Sequence, residues 1–166
     1  AYTDLQIQAL TALMDTTGMP EAPPLPVGGE VTEFTTAIYA AVACAAALRT
    51  KAQSGHGQFI DMTLFDCAFS TIATFLDPAA HIKRAGNRHP LTGPWNVFAA
   101  SDGWVLICTA NDGQWRRLCE IMERPDLGAA EKYKTTGQRM ERMPELDAEI
   151  AKWAAERTVL ECVAAF

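Results

Sequence analysis

The sequence predicts a helix-rich α/β chain in two parts, the second of α+β character with an antiparallel hairpin. Three observations carry this. Residues 28–48 read "GGEVTEFTTAIYAAVACAAAL", a run dominated by alanine, the strongest helix former. Residues 96–110, "NVFAASDGWVLICTA", hold two apolar runs around Ser101-Asp102-Gly103, the pattern of a hairpin. The composition also changes near residue 90, from long alanine-rich segments to a hairpin and short charged helices. The expected organisation is therefore a helical part over residues 1–77, a linker over 78–95 and a second part over 96–166.

Each element follows from local pattern. Leu5, Ile7, Leu10, Leu13 and Met14 recur at helical spacing, which predicts a helix over residues 3–14 that ends before Gly18. "TTGMPEAPPLPVGG" carries four prolines and three glycines, so it forms an extended connector. A long helix over about 32–53 follows and is stopped by Gly55 and Gly57. "QFIDMTL" predicts a short strand, and "LFDCAFSTIATFL" a helix with Pro78 just beyond its end. "KRAGNRHPLTGPW" is a loop. In the hairpin, Gly103 is suited to a positive φ. Asn111 or Asp112 caps the helix "GQWRRLCEIM", which "ERPDLG" ends. "MPELDAEIAKWAAER" is amphipathic: Pro144, Glu145 and Asp147 lie at its start, and Leu146, Ile150 and Trp153 form one stripe. Thr158 reads as the N-cap of a final helix. The chain opens in helical period without an initiator Met and closes inside a helix, so a piece of a longer protein is expected.

Composition narrows the function. With 166 residues the chain can bury a sizeable core. A net charge of −6 argues against nucleic acid as the main partner. No apolar run reaches the roughly 18 residues of a bilayer span, so no membrane role is expected. The five cysteines include no CxxC pair, and His56, His81 and His89 are not near a cysteine pair, so no metal site is expected. Reduced, mostly buried thiols in a cytoplasmic protein are the expectation. Trp95, Trp104, Trp115 and Trp153 read as core or interface residues. "SGHGQ" follows a helix, which suits a helix stop better than a phosphate cradle. His89, in a loop flanked by glycine and proline, is either a surface histidine or a ligand contact.

Two acids, Glu30 and Glu33, sit at the start of the alanine-rich helix, whose body needs neither. On the residues alone, Thr32 caps the helix and Glu33 is a routine first-turn acid. The alternative is a reactive group. A helix N-terminus leaves free N–H groups and a partial positive charge, which favour an anion by about 0.3–1 kcal/mol. The same donors suit developing negative charge on an acyl intermediate.

Taken together, "AYTDLQIQALTALMDTTGMPEAPPLPVG", "AALRTKAQSGHGQFIDMTLFD" and "HPLTGPWNVFAASDGWVLICTANDGQWRRLCEIMERPDL" resemble, in order, successive segments of the class III CoA-transferases, the CaiB/BaiF group that includes formyl-CoA transferase and α-methylacyl-CoA racemase. The second stretch matches the family's long helix, TGRGQ-type turn, strand and helix. The resemblance implies part of a Rossmann-like large domain followed by a small domain. Complete members are well over twice this length, and the part that supplies most CoA contacts lies before the segment matched here. It implies an interlocked homodimer, acyl-CoA and a small carboxylic acid as substrates, and no permanently bound cofactor. Counting back without gaps from "AAL" at 46–48 sets Glu33 on the family's catalytic aspartate, in patterns such as "VADIAAGMYAAIGILAAL"; the acid here is one methylene longer. Racemases carry a histidine in a "GHD" pattern where this chain has Thr3 and Asp4. Threonine is no acid–base group near neutral pH, which argues against racemase or isomerase chemistry. Thr3, Asp4 and His89 are the expected substrate- or CoA-adjacent residues. The rival is a non-catalytic family member serving in assembly.

Overall fold

The structure, a computed structural model, describes residues 2–72 and 84–166, which divide into two units, Ala1–Gly86 and Asn87–Phe166. In the first unit the Thr3 hydroxyl accepts the Gln6 N–H and starts α1, Asp4–Leu10. This helix is shorter than its apolar periodicity predicts. Ala12 takes a positive φ of 63° and the Thr11 hydroxyl donates to the Ile7 carbonyl, so the chain leaves as turns. α2, Val31–Ser54, ends at Gly55, whose N–H donates to the Lys51 carbonyl. α3, Leu64–Thr71, is capped by Thr63. The predicted C-terminal part of this helix, Pro78 and His81 lie outside the described residues.

Two expectations for this unit change. "QFIDMTL" is not a strand, since no partner strand lies beside it among the described residues, and Phe59 is 89% exposed. An isolated extended segment gains no ladder hydrogen bonds. Second, α2 is long and apolar enough, by length and composition, to cross a membrane: a window of 18 residues has mean hydropathy 1.5 and is 6% buried. The alanines raise the mean, and the charges of α2 are confined to its ends at Glu33, Arg49 and Lys51. Thr32 is the buried residue of this helix, whereas Phe34, Ile38, Val42 and Leu48 are exposed.

The second unit is built on β1, Trp95–Ala99, and β2, Trp104–Cys108, paired antiparallel from Trp95 opposite Cys108 to Ala99 opposite Trp104. Phe98, Val105 and Ile107 face the core, while the alternate residues Trp104 and Leu106 are exposed. Trp104 is therefore no core residue, because the strand's period of two turns it outward. Gly103 does not take a positive φ. Its constraint is close approach, since a Cβ there would stand 3.1 Å from Val159. The Asp102 carboxylate accepts the Val159 N–H at 2.7 Å, tying the hairpin turn to the last helix.

The helices follow in order. α4, Asp112–Ile121, is capped by Asn111. Pro125 does not simply end a helix but lies in the first turn of the short α5, Pro125–Ala129. After a 3₁₀ turn, Glu131–Tyr133, come α6, Thr136–Met140, and α7, Met143–Ala155. α8, Val159–Ala164, starts with a capping box of Thr158 and Glu161. Trp115, Leu118, Leu146, Ile150 and Trp153 pack with the strand residues into one core. Each large side chain buried there contributes about 1.5–3 kcal/mol.

Arg139, fully buried, cross-links this unit. Its guanidinium donates to the carbonyls of Gly93 at 3.1 Å and Tyr133 at 3.0 Å, to Asp112 at 2.8 Å and to the Thr136 hydroxyl at 2.9 Å. All five cysteines are free; Cys67, Cys119 and Cys162 are buried and Cys44 and Cys108 exposed.

Candidate functional site

The start of α2 is assembled from α1 and the glycine turn before the helix. Gly29 takes a φ of 82°, and nothing lies within 4 Å of a Cβ built on Gly28 or Gly29. The chain reverses there without side-chain hindrance. Glu30 is the N-cap residue, but its side chain makes no cap hydrogen bond. The cap comes from α1 instead. Asp4 is 8% exposed, and its Oδ1 accepts the N–H of Thr32 at 2.7 Å, the N–H of Glu33 at 3.2 Å and the Thr32 hydroxyl. Those two N–H groups belong to the second and third helical residues, the ones an N-cap side chain normally serves.

Thr32 is thus not the cap that the sequence suggests. The helix begins one residue earlier, at Val31, and the Thr32 hydroxyl donates to Asp4 instead of accepting from the backbone.

Asp4 is held in turn by Gln8. The Gln8 amide donates to Asp4 Oδ2 at 2.6 Å and to the Val27 carbonyl at 3.3 Å, while its oxygen accepts the Val27 N–H at 2.9 Å. Burial pushes the Asp4 carboxyl up. The hydrogen bonds from the Thr32 hydroxyl, Gln8 and the backbone of Glu33 and Thr32 outweigh it and hold Asp4 below the usual carboxylate range. Asp4 is therefore an anion with its oxygens directed at protein donors.

Glu33 stands in the same first turn and is exposed. Together with Gly28, Gly29, Glu30, Val31, Phe34 and Ala37 it lines an open depression of about 630 Å³. The neighbouring threonines offer that space no free hydroxyl proton, since Thr35 and Thr36 donate to the carbonyls of Val31 and Thr32 at 2.7 Å each. The arrangement presents two solvent-accessible carboxylates, Glu30 at the N-cap and Glu33 in the first turn, beside a third, Asp4, that is locked. An accessible carboxylate can act as a nucleophile or as a base.

The other expected residues are distributed as follows. Thr3 is exposed, and its hydroxyl serves as the α1 cap. His89 lies in the second unit, half-buried. Its ring is 4.7 Å from that of Trp95, its N–H donates to the Trp95 carbonyl, and its Nδ1 accepts the Leu91 N–H at 3.2 Å. Among the described residues, no group of three or more His, Cys, Asp or Glu is placed to hold a metal ion. Sequence reasoning missed Gln8 and Val27. The available signal was Asp4 and Gln8, two polar residues four apart on a short helix where they share a face.

The family model of CoA-transferase family III matches residues 1–166. A succinyl-CoA:mesaconate CoA-transferase of Haloarcula marismortui is 39% identical over 154 residues, 90% of this chain and 38% of that protein. A succinate–glutarate CoA-transferase of Agrobacterium fabrum is 32% identical, covering 96% of this chain and 42% of that protein. The crystal structure of a CaiB/BaiF family protein from Brucella suis superposes with a TM-score of 0.77 at 31% identity, over 99% of this chain and 44% of that one. The chain thus spans about two fifths of the curated relatives' length.

Proposed function

The chain belongs to CoA-transferase family III, and from that premise we propose that its protein moves CoA from an acyl-CoA to a carboxylic acid, with Glu33 as the covalent nucleophile. The observation that carries this is the Glu33 carboxylate, exposed and lining an open depression at a helix start. The relatives' names, succinyl-CoA:mesaconate and succinate–glutarate CoA-transferase, support small dicarboxylic acids as the substrate class. The other three fifths of the relatives' length is where the CoA contacts and a homodimer interface would be sought, and free cysteines suit the cytoplasm.

The chemistry is four nucleophilic displacements on carbonyl carbon. A Glu33 oxygen attacks the thioester carbonyl of the donor; the C–S bond breaks, giving a mixed anhydride and CoA thiolate. The thiolate attacks the Glu33 carbonyl of that anhydride and expels the donor carboxylate, leaving a glutamyl-CoA thioester. An acceptor carboxylate attacks this thioester and releases the thiolate again. The thiolate then attacks the acceptor carbonyl, which forms the new acyl-CoA and frees Glu33. No net oxidation occurs and no proton is consumed. Splitting one transfer into covalent steps is the usual gain of such catalysis.

Glu33→Gln in the complete protein keeps size and removes the anionic oxygen, so transfer falls to background while the fold persists. Glu33→Asp shortens the arm by one methylene and retains activity. During turnover, hydroxylamine intercepts the thioester and leaves a mass-shifted peptide containing Glu33. Normal turnover by Glu33→Gln, or an adduct on Glu30, would refute the assignment. A complete protein inactive toward every acid tested would favour a non-catalytic assembly role.

A further inference from the structure

We propose that Asp4 is a positioning residue for the reaction: its buried carboxylate fixes the first turn of α2 and thereby the place of Glu33, a role that rests on Glu33 being the nucleophile. α2 has no cap of its own. Glu30 contributes no side-chain bond, and the two residues before it are glycines. A helix start after such a turn frays unless something outside it satisfies its donors. Glu33 is the third helical residue and lies inside the part that would fray.

The network closes both sides of the glycine turn onto one face of α1. Gln8 grips the N–H and carbonyl of Val27, just before the turn. Asp4 grips the N–H groups of Thr32 and Glu33, just after it. The contact from Gln8 to Asp4 joins the two grips. Four residues, 28–31, are thus bracketed between fixed points, and all four line the same depression as Glu33.

Charge matters as well as shape. The Val27 N–H fixes the Gln8 amide so that its NH₂ faces Asp4. An asparagine at position 4 would set its own NH₂ against either that group or the N–H groups of Thr32 and Glu33. One donor–donor clash follows in each orientation, so only an acceptor on both oxygens fits. Asp4→Asn therefore loosens the turn without emptying the site.

The test uses the complete protein. In Asp4→Asn, kcat falls by roughly tenfold to hundredfold, the scale of a small displacement of reacting groups, while KM for the acyl-CoA stays within about twofold. Hydrogen exchange at Thr32, Glu33 and Phe34 speeds up, and exchange in α3 does not. Thr32→Val removes one donor to Asp4 and leaves its carboxylate, so it lowers kcat by less and is non-additive with Asp4→Asn; it also decides the matter if Asp4→Asn does not fold. Thr63→Ala, which costs α3 its cap, lowers stability and leaves kcat unchanged. A kcat within twofold of the parent in Asp4→Asn or Thr32→Val, or unchanged exchange at the α2 start, overturns the proposal. Failure of the Glu33 reading is seen separately: Glu33→Gln would then turn over while the exchange response to Asp4→Asn persisted.

Discussion

Arg139→Met tests how the second unit is held together. The side chain is fully buried, and it satisfies the carbonyls of Gly93 and Tyr133, with a weaker contact to Lys134 at 3.4 Å. It also meets Asp112 and Thr136 and lies over the Trp115 ring at 5.8 Å. Methionine fills much of the stem volume but donates nothing. Hydrogen bonds from a charged donor contribute about 1.5–3 kcal/mol each, and orphaned carbonyls cost their desolvation besides. These terms do not add, because the bonds share one group. Asp112 is half exposed and rehydrates when the guanidinium goes, so the expected loss, about 3–5 kcal/mol, comes from the buried carbonyls left without a donor. Arg139→Lys keeps the charge but cannot reach carbonyls on several sides, and should lose about 2–3 kcal/mol. The assay is urea unfolding followed by tryptophan fluorescence. All four tryptophans of this 166-residue chain lie in the second unit, so within this chain the signal reports that unit. Trp115, beneath the guanidinium, makes the native signal sensitive to the change. A loss below about 1 kcal/mol for Arg139→Met, or a gain in stability, would refute the reasoning, since well-packed apolar replacements sometimes stabilise.

Two further outcomes follow from titratable groups. Asp4, Asp112, Glu145 and Glu149 are all held below their ordinary pKa, Asp4 by hydrogen bonds that outweigh its burial, Asp112 by Arg139, Glu145 by Tyr133 and Lys132, and Glu149 by Lys152 and Arg124. A depressed folded pKa gives stability that is present above the unfolded carboxylate range, near about 4, and lost as pH falls through the folded values; unfolding midpoints should be flat from neutral pH down to about 5 and drop below about 4. A midpoint that falls already between pH 7 and 5 would contradict this. Native thiol labelling should modify Cys44 first. Burial pushes Cys108 up, which slows it despite its exposure. Burial, with Asp126 adding to it, pushes Cys119 up to about 12, so Cys119 should label only on unfolding, like buried Cys67 and Cys162. Rapid mass addition at Cys119 in native protein would count against the packing described.

Local pattern determined much of the fold. The alanine run, the apolar pairs around residues 101–103 and the stripe of Leu146, Ile150 and Trp153 each specify an element through short-range physics. Errors arose where a distant partner decides. "QFIDMTL" has strand composition, but a strand exists only when paired. Gly103 is needed for the approach of Val159, 56 positions away in the chain (159 − 103), and no local rule carries that. The candidate site shows the same division. The sequence singles out Glu33 by its place at the helix start and by family register, whereas the donor set around Asp4 joins residues 4, 8, 27, 32 and 33. A carboxylate capping a helix 28 residues later leaves no mark in a short window.

That capping changes where negative charge can be stabilised in the proposed reaction. The first-turn N–H groups of α2 looked like natural donors to an acyl oxyanion. In the structure the N–H groups of Thr32 and Glu33 are taken by Asp4, and that of Phe34 by the Glu30 carbonyl at 3.0 Å. The Asp4 anion also neutralises part of the positive helix end. The first turn is therefore engaged in holding Glu33 and has little left for the substrate. Just outside the helix, the N–H groups of Gly28, Gly29 and Glu30 have no hydrogen-bond partner among the described residues, and all three residues line the depression with Glu33. Backbone donors in a turn can collect an anion without side chains. On the proposed mechanism, the tetrahedral oxyanion formed when Glu33 attacks a thioester therefore finds its donors in the glycine turn. The locked carboxylate then has two uses: it keeps Glu33 in place, and it keeps the turn that receives the charge in register with it.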